Sequence, residues 1–252
     1  MSKIDNICCK IMFVIGISLF ISGCPLKSGV EGKAWFRYAS KYDQALRKMT
    51  ASGGALQDYN KMNKMGQKFL RTRQPTEDEI ISVLRSPDRR FQRVGLAAIS
   101  LNPIETDHLI DILFEFLQDQ DPEFRWYARV SLVKFTKFPE SKRADWGKQL
   151  LEIIKNKEEN ELSIEEFLLL AKFPSKEAAL LLTEQLMKEG KENRIDIFRY
   201  AAFKALKEMG DSFYDEAAEY VNTHGSPEIK KELLEQESRW LEKSKLEKDR
   251  NI

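Results

Sequence analysis

Helix-breaking residues recur on a fixed interval through most of this chain, and that recurrence limits its possible folds more than any other feature. The breaks fall at Pro103 in "SLNPIE", Pro139 in "TKFPES", Pro174 in "AKFPSK" and Gly210 in "KEMGDS", at intervals of 36, 35 and 36 residues. Between them the sequence has helical rather than strand periodicity, and Gly and Pro punctuate the segments instead of interrupting them. Breakers on one period mark an array of similar units, each too small to bury its own apolar face.

The segments before the breaks agree with one another. Phe124, Arg125, Ala128 and Leu132 match Phe198, Arg199, Ala202 and Leu206 at an offset of 74, about two periods. Phe91, Gln92, Gly95 and Ile99 fill the same slots one unit earlier, and Phe167 with Ala171 begins a weaker copy. Positions i, i+4 and i+8 share one helix face, and a small residue at i+4 permits close approach of a neighbour. The segments after the breaks are amphipathic too. Leu109, Ile112, Leu113 and Phe116 make a stripe within 104–117, and Ala178, Leu181, Leu182 and Leu186 make another. Thr76 with Glu79 reads as a capping box. Asn102-Pro103 and Ser226-Pro227 read as caps followed by proline at the first helical position. A charged final helix, about 226–248, suits the end of an array.

This pattern resembles HEAT repeats, which pair two antiparallel helices per unit. The features that carry the resemblance are Asp121-Pro122 and then Arg125 and Ala128. It covers about residue 75 onward and implies an all-α fold, an α-solenoid of antiparallel helix pairs. In that family the aspartate and arginine form polar ladders between units. Asp121 and Arg125 occupy those positions, while Gln92 and Ile195 depart from them, so the ladder is expected to be incomplete. Tetratricopeptide arrays have a similar period, but their Trp/Leu-Gly/Tyr pattern is missing.

The N-terminus is of a different kind. Lys3 and Lys10 precede an eleven-residue apolar run, Ile11–Ile21, which is too short to cross a bilayer but suits the core of an export signal. Ile21-Ser22-Gly23-Cys24 resembles the lipobox of bacterial lipoproteins. The resemblance implies cleavage between Gly23 and Cys24, attachment of acyl chains such as palmitate to Cys24, and a cell-envelope location on the inner or outer membrane. The alternative is an ordinary signal peptide with an incidental cysteine. The only other cysteines, Cys8 and Cys9, would leave with the signal, and the remaining chain has neither a disulfide framework nor a cysteine zinc site. The organisation expected is a signal peptide over 1–23, a lipidated linker over 24–32, basic helices over 33–73 and helical repeats over 74–252. Trp35, Tyr38 and Tyr42 in the basic helices would either seal the first repeat or meet lipid headgroups.

Charge is divided along the chain. Without residues 1–23 the chain has 39 basic and 39 acidic side chains, yet residues 25–73 hold 11 basic and 3 acidic while 74–252 hold 28 and 36. The basic part would either lie on anionic lipid or form a solvated face paired with the acidic part. Overall neutrality and export argue against nucleic acid as a partner.

Chemistry is sparsely signalled. His108 and His224 are the only histidines, with no HExxH, no serine elbow and no phosphate-binding glycine loop. No cofactor or metal is implied. His224 suits a helix's terminal turn. Adjacent carboxylates such as Glu158-Glu159 and Glu165-Glu166 are expected to face solvent. One cluster suggests a protein-binding strip: Arg89, Arg90 and Arg93, followed one unit later by Arg125, Trp126 and Arg129. The sequence therefore reads as a non-enzymatic, membrane-anchored binding or scaffolding module for another envelope protein. An envelope enzyme using carboxylate chemistry and a structural part of an oligomer are the alternatives.

Overall fold

The computed structural model describes residues 27–54, 56–158, 161–190 and 193–250. The proposed signal peptide, Gly23 and Cys24 lie outside them. Every regular element among the described residues is helical. A single turn, Lys27–Val30, falls in the expected linker, and twelve helices follow: α1 Ala34–Ala51, α2 Leu56–Leu70, α3 Glu77–Leu84, α4 Arg89–Leu101, α5 Asp107–Phe116, α6 Pro122–Lys134, α7 Glu140–Lys155, α8 Ile164–Leu170, α9 Lys176–Leu186, α10 Asn193–Met209, α11 Asp211–His224 and α12 Pro227–Arg250. The chain divides into two compact units, one running to Asn102 and the other starting at Pro103. Helices α3 and α4 thus group with the basic α1 and α2.

In the first unit α1 pairs with α2, α3 pairs with α4, and α4 packs on α1 and α2. Trp35 is fully buried beside Phe36, which in turn meets Phe91 of α4 at 5.1 Å between ring centroids. Trp35 is thus part of the core of this unit. Gly66 of α2 lies against Leu101, and an added Cβ would come within 3.2 Å of its methyl. The capping box of α3 forms: Thr76 Oγ1 accepts from Glu79 N–H, and the Glu79 carboxylate accepts from Thr76 N–H at 3.0 Å.

In the second unit the helices alternate as the period predicts. Helices α6, α8 and α10 carry the Phe/Ala/Leu pattern and touch in succession, α6 on α8 and α8 on α10. Each also packs on a helix that follows a break: α6 on α5, α8 on α7, and α10 on both α9 and α11. The small positions Ala128, Ala171 and Ala202 are buried, as are Leu132 and Leu206. Residues matched by the repeat pattern meet within this unit: Phe167 touches Phe198 at 5.4 Å, and Phe138 touches Phe173 at 4.9 Å, both edge-on. The second pair comes from the two "KFP" breaks. Phe114 and Trp146 complete this aromatic cluster, their rings stacked at 5.8 Å.

Polar bonds tie the breaks together as well. Glu105, in the first break, accepts the backbone N–H groups of Thr136 and Lys137 from the second, each at 3.0 Å. Arg143 Nε donates to the carbonyl of Lys172, beside the third break, at 3.0 Å. Asp111 of α5 accepts from Trp146 Nε1 at 3.0 Å and from Lys142 at 2.6 Å, both on α7. The final helix α12 packs on α10 and α11 through one side, burying Ile229, Leu233 and Gln236.

Two start signals resolve differently. Ser226 caps α12, accepting from Ile229 N–H, with Pro227 at the first helical position. Pro103 does not open α5, however. Residues 103–106 have no regular structure, Thr106 caps the helix by accepting from Leu109 N–H, and α5 begins at Asp107. Glu105 is thereby free of the helix and positioned for its bonds to the next break.

Candidate interaction site

The six residues of the expected strip do not form one free basic surface. Arg89, Arg90 and Arg93 belong to the first unit; Arg125, Trp126 and Arg129 belong to the second. Arg90 is exposed but doubly bonded to the Asp88 carboxylate, at 2.8 and 3.1 Å, which raises its pKa. Arg89 donates to Gln92 Oε1. Trp126 is half-buried edge-on to Tyr127. Arg125 donates to the carbonyls of Asp119 and Gln120, in the turn before its own helix, while Asp121 caps that helix through Glu123 N–H. The Arg125 bonds therefore stay within one unit instead of forming rungs between units. Gln92 does the same job at the matching position, donating to the Ser86 carbonyl at 2.9 Å. Both span six residues back. The departure of Gln92 from arginine thus leaves the local tie intact.

Arg129 is the clearest correction, because it is buried. Its guanidinium lies 3.4 Å from the Glu166 carboxylate, which is 1% exposed and also bonded to Lys157. The other Glu166 oxygen accepts Ser163 N–H at 3.1 Å, closing the first turn of α8. Burial pushes the Arg129 pKa down, and Glu166 and Glu165 push it back up. The expectation that Glu165-Glu166 faces solvent fails for Glu166, since α8 is covered on both flanks by α6 and α7. The signal was in the sequence: Ser163 followed three residues later by Glu166 is the capping-box spacing. An ion network this enclosed is structural, and no ligand reaches it without displacing a partner.

The second unit has several openings, and one of about 460 Å³ is lined by Arg125 together with Leu117, Gln149, Glu152 and Glu161. A groove of about 620 Å³ runs beside α7, with Gly147, Leu151, Phe173 and Pro174 forming an apolar floor. Arg143, Lys148 and Lys155 edge it together with Glu140, Glu152 and Glu177. Gly147 shapes it, because a Cβ there would come within 2.9 Å of the Phe173 Cβ. A second recess of about 440 Å³ is acidic, lined by Glu189, Asp196, Glu228 and Glu232 around Arg199. Arg199 bonds Asp196 at 2.6 Å and Glu232 at 3.0 Å, and also the Gly190 and Lys188 carbonyls. Burial raises the Glu232 pKa, and Arg199 opposes that rise. Neither the groove nor the acidic recess was anticipated. The groove depends on where the "KFP" loop meets α7, which a single sequence does not specify.

His108 is exposed on α5, and His224 ends α11, stacked on Tyr220 at 4.4 Å. Among the described residues no group of three or more His, Cys, Asp or Glu side chains is placed to hold a metal ion. No described helix is long and apolar enough to cross a membrane. No protein family, curated protein or solved structure among known proteins matches this chain.

Proposed function

We propose that the chain is a bacterial envelope lipoprotein, anchored through Cys24, whose helical body is a HEAT-like α-solenoid that binds or scaffolds another envelope protein. The observation that carries the solenoid part is the contact between equivalent residues one period apart, Phe138 with Phe173. Bonds from each break to the next reinforce it. Units stacked in this way present extended surfaces, the geometry repeat arrays use for binding. The α7 groove suits an extended segment of a partner: apolar at its base and charged at its edges, it combines desolvation with orientation. The anchor rests on the lipobox resemblance, and two or more acyl chains on one sulfur-bearing residue would hold the protein stably on a membrane.

The test has two arms in intact bacteria. A clickable palmitate analogue should label the chain and fail to label Cys24→Ser. A photo-crosslinker at Lys148 should give one discrete adduct with an envelope protein, and Leu151→Asp should abolish it. Absence of acyl label sinks the anchor; absence of a groove-dependent adduct sinks the binding role there.

A second reading, acid–base catalysis by carboxylates, takes its support from the raised pKa of Glu232 in the acidic recess. Arg199 already neutralises that carboxylate, which favours a structural role. Loss of a hydrolytic activity in Glu232→Gln, with folding intact, would revive the catalytic reading.

A further inference from the structure

The first unit has an unusual outer surface. Helix α2 buries only Gly66 and Phe69 fully. Lys61, Lys64, Lys68 and Arg71 follow one another at i, i+3, i+7 and i+10, one flank of a helix, and all four are exposed. On the neighbouring flank Leu56, Tyr59 and Leu70 are also exposed, Leu56 to 72%. Exposed Lys41 and Lys48 of α1 add to the charge, and Tyr38 has Lys41 and Lys68 each 5.9 Å from its ring centre. None of these six cations pairs with a carboxylate among the described residues, whereas Lys33 and Arg73 both pair with Glu79. These six charges are therefore not neutralised by an ion pair among the described residues.

We propose that the α1–α2 hairpin is a second membrane contact, which docks on anionic phospholipid headgroups through Lys61, Lys64, Lys68 and Arg71. Three features fit such a surface: cations without an ion pair, an exposed aromatic and apolar strip beside them, and no acidic residue on the charged flank. This deepens the lipoprotein reading and rests on it only for placing a bilayer nearby. Cys24 is ten residues from Ala34, a reach of at most about 35 Å. The anchor would keep the hairpin within range, and the hairpin would orient the body against the surface.

The test uses the mature chain from residue 24 carrying Cys24→Ser, so that no lipid holds it. Flotation with vesicles of phosphatidylcholine alone is compared with vesicles that also contain phosphatidylglycerol. Binding should appear only with the anionic lipid and fall as salt shortens the screening length from about 8 Å toward 3 Å. Each lysine near the surface strengthens partition about fivefold, so Lys61→Ala/Lys64→Ala/Lys68→Ala should weaken it about a hundredfold. A control, Lys137→Ala/Lys176→Ala/Lys231→Ala on exposed lysines of the second unit outside the groove, should bind as the parent does. Equal binding to both vesicles, no binding at low salt, or equal loss in both triple variants overturns the proposal. Palmitate labelling of Cys24 is read separately, so failure of the anchor and failure of the hairpin contact are distinct results.

Discussion

Removing the Glu166 carboxylate should destabilise the second unit far more than removing its neighbour. In Glu166→Ala the Arg129 and Lys157 charges stay in place with side chains 10% and 12% exposed, and both lose their counter-charge. Breaking one partner out of a buried pair costs about 3–5 kcal/mol, because the stranded charge is poorly solvated. Loss of the bond to Ser163 N–H adds about 1 kcal/mol at the start of α8. The terms overlap, so a total of about 4 kcal/mol is expected, a fall in Tm on the order of 10 °C for a unit of this size. Glu165→Ala, one residue away and half-exposed, should cost under about 1 kcal/mol. Tryptophan fluorescence during thermal unfolding reports mainly on this unit, which holds Trp126, Trp146 and Trp240. Glu166→Gln separates charge from capping, since the amide oxygen can still accept the Ser163 bond. A triple variant, Arg129→Met/Lys157→Met/Glu166→Leu, should recover much of the loss, because apolar groups leave no stranded charge. Equal Tm shifts for Glu166→Ala and Glu165→Ala would refute the reasoning, as would a triple variant no more stable than Glu166→Ala.

Gly147→Ala should lower stability by about 1 kcal/mol, because crowding against Phe173 exceeds the gain in helix propensity. Gly66→Ala, which would meet the movable end of Leu101 at 3.2 Å and the Tyr42 ring at ordinary contact distance, should be neutral or stabilising; denaturant melts of both variants decide it. Burial raises the Glu79 pKa, but bonds from Lys33, Thr76 and Arg73 outweigh it and leave the group below its ordinary range. The unfolded chain then takes up a proton at higher pH than the folded one. The contribution of Glu79 is full above about pH 5 and disappears as pH falls through its folded value. The Tm gap between parent and Glu79→Gln should accordingly be flat from neutral pH to about pH 5 and close in acid.

The readable part of this fold is the part governed by local periodicity. Small residues at Ala128, Ala171 and Ala202 and breakers at Pro139, Pro174 and Gly210 act within a few residues of themselves, so their spacing alone placed the helices of the second unit. Pro103 does not decide where the helix starts, because a proline fixes only its own φ and steers its predecessor away from helical backbone. Whether it opens a helix or precedes one depends on Glu105, whose preferred partners lie 31 and 32 residues onward. The same limit explains the strip. Arg125 and Arg129 occupy neighbouring turns of one helix and look alike in sequence, yet α8 lies over one of them and not the other. Burial turned Arg129 from a candidate contact into half of an ion network, and the same covering drew Glu166 out of solvent. The hairpin cations differ from both in one respect: they are exposed and have no ion pair among the described residues. Charge in this protein is therefore informative only once its covering is known. By that measure the α1–α2 cations are exposed and unpaired, whereas Arg129 of the strip inferred from the repeats is not.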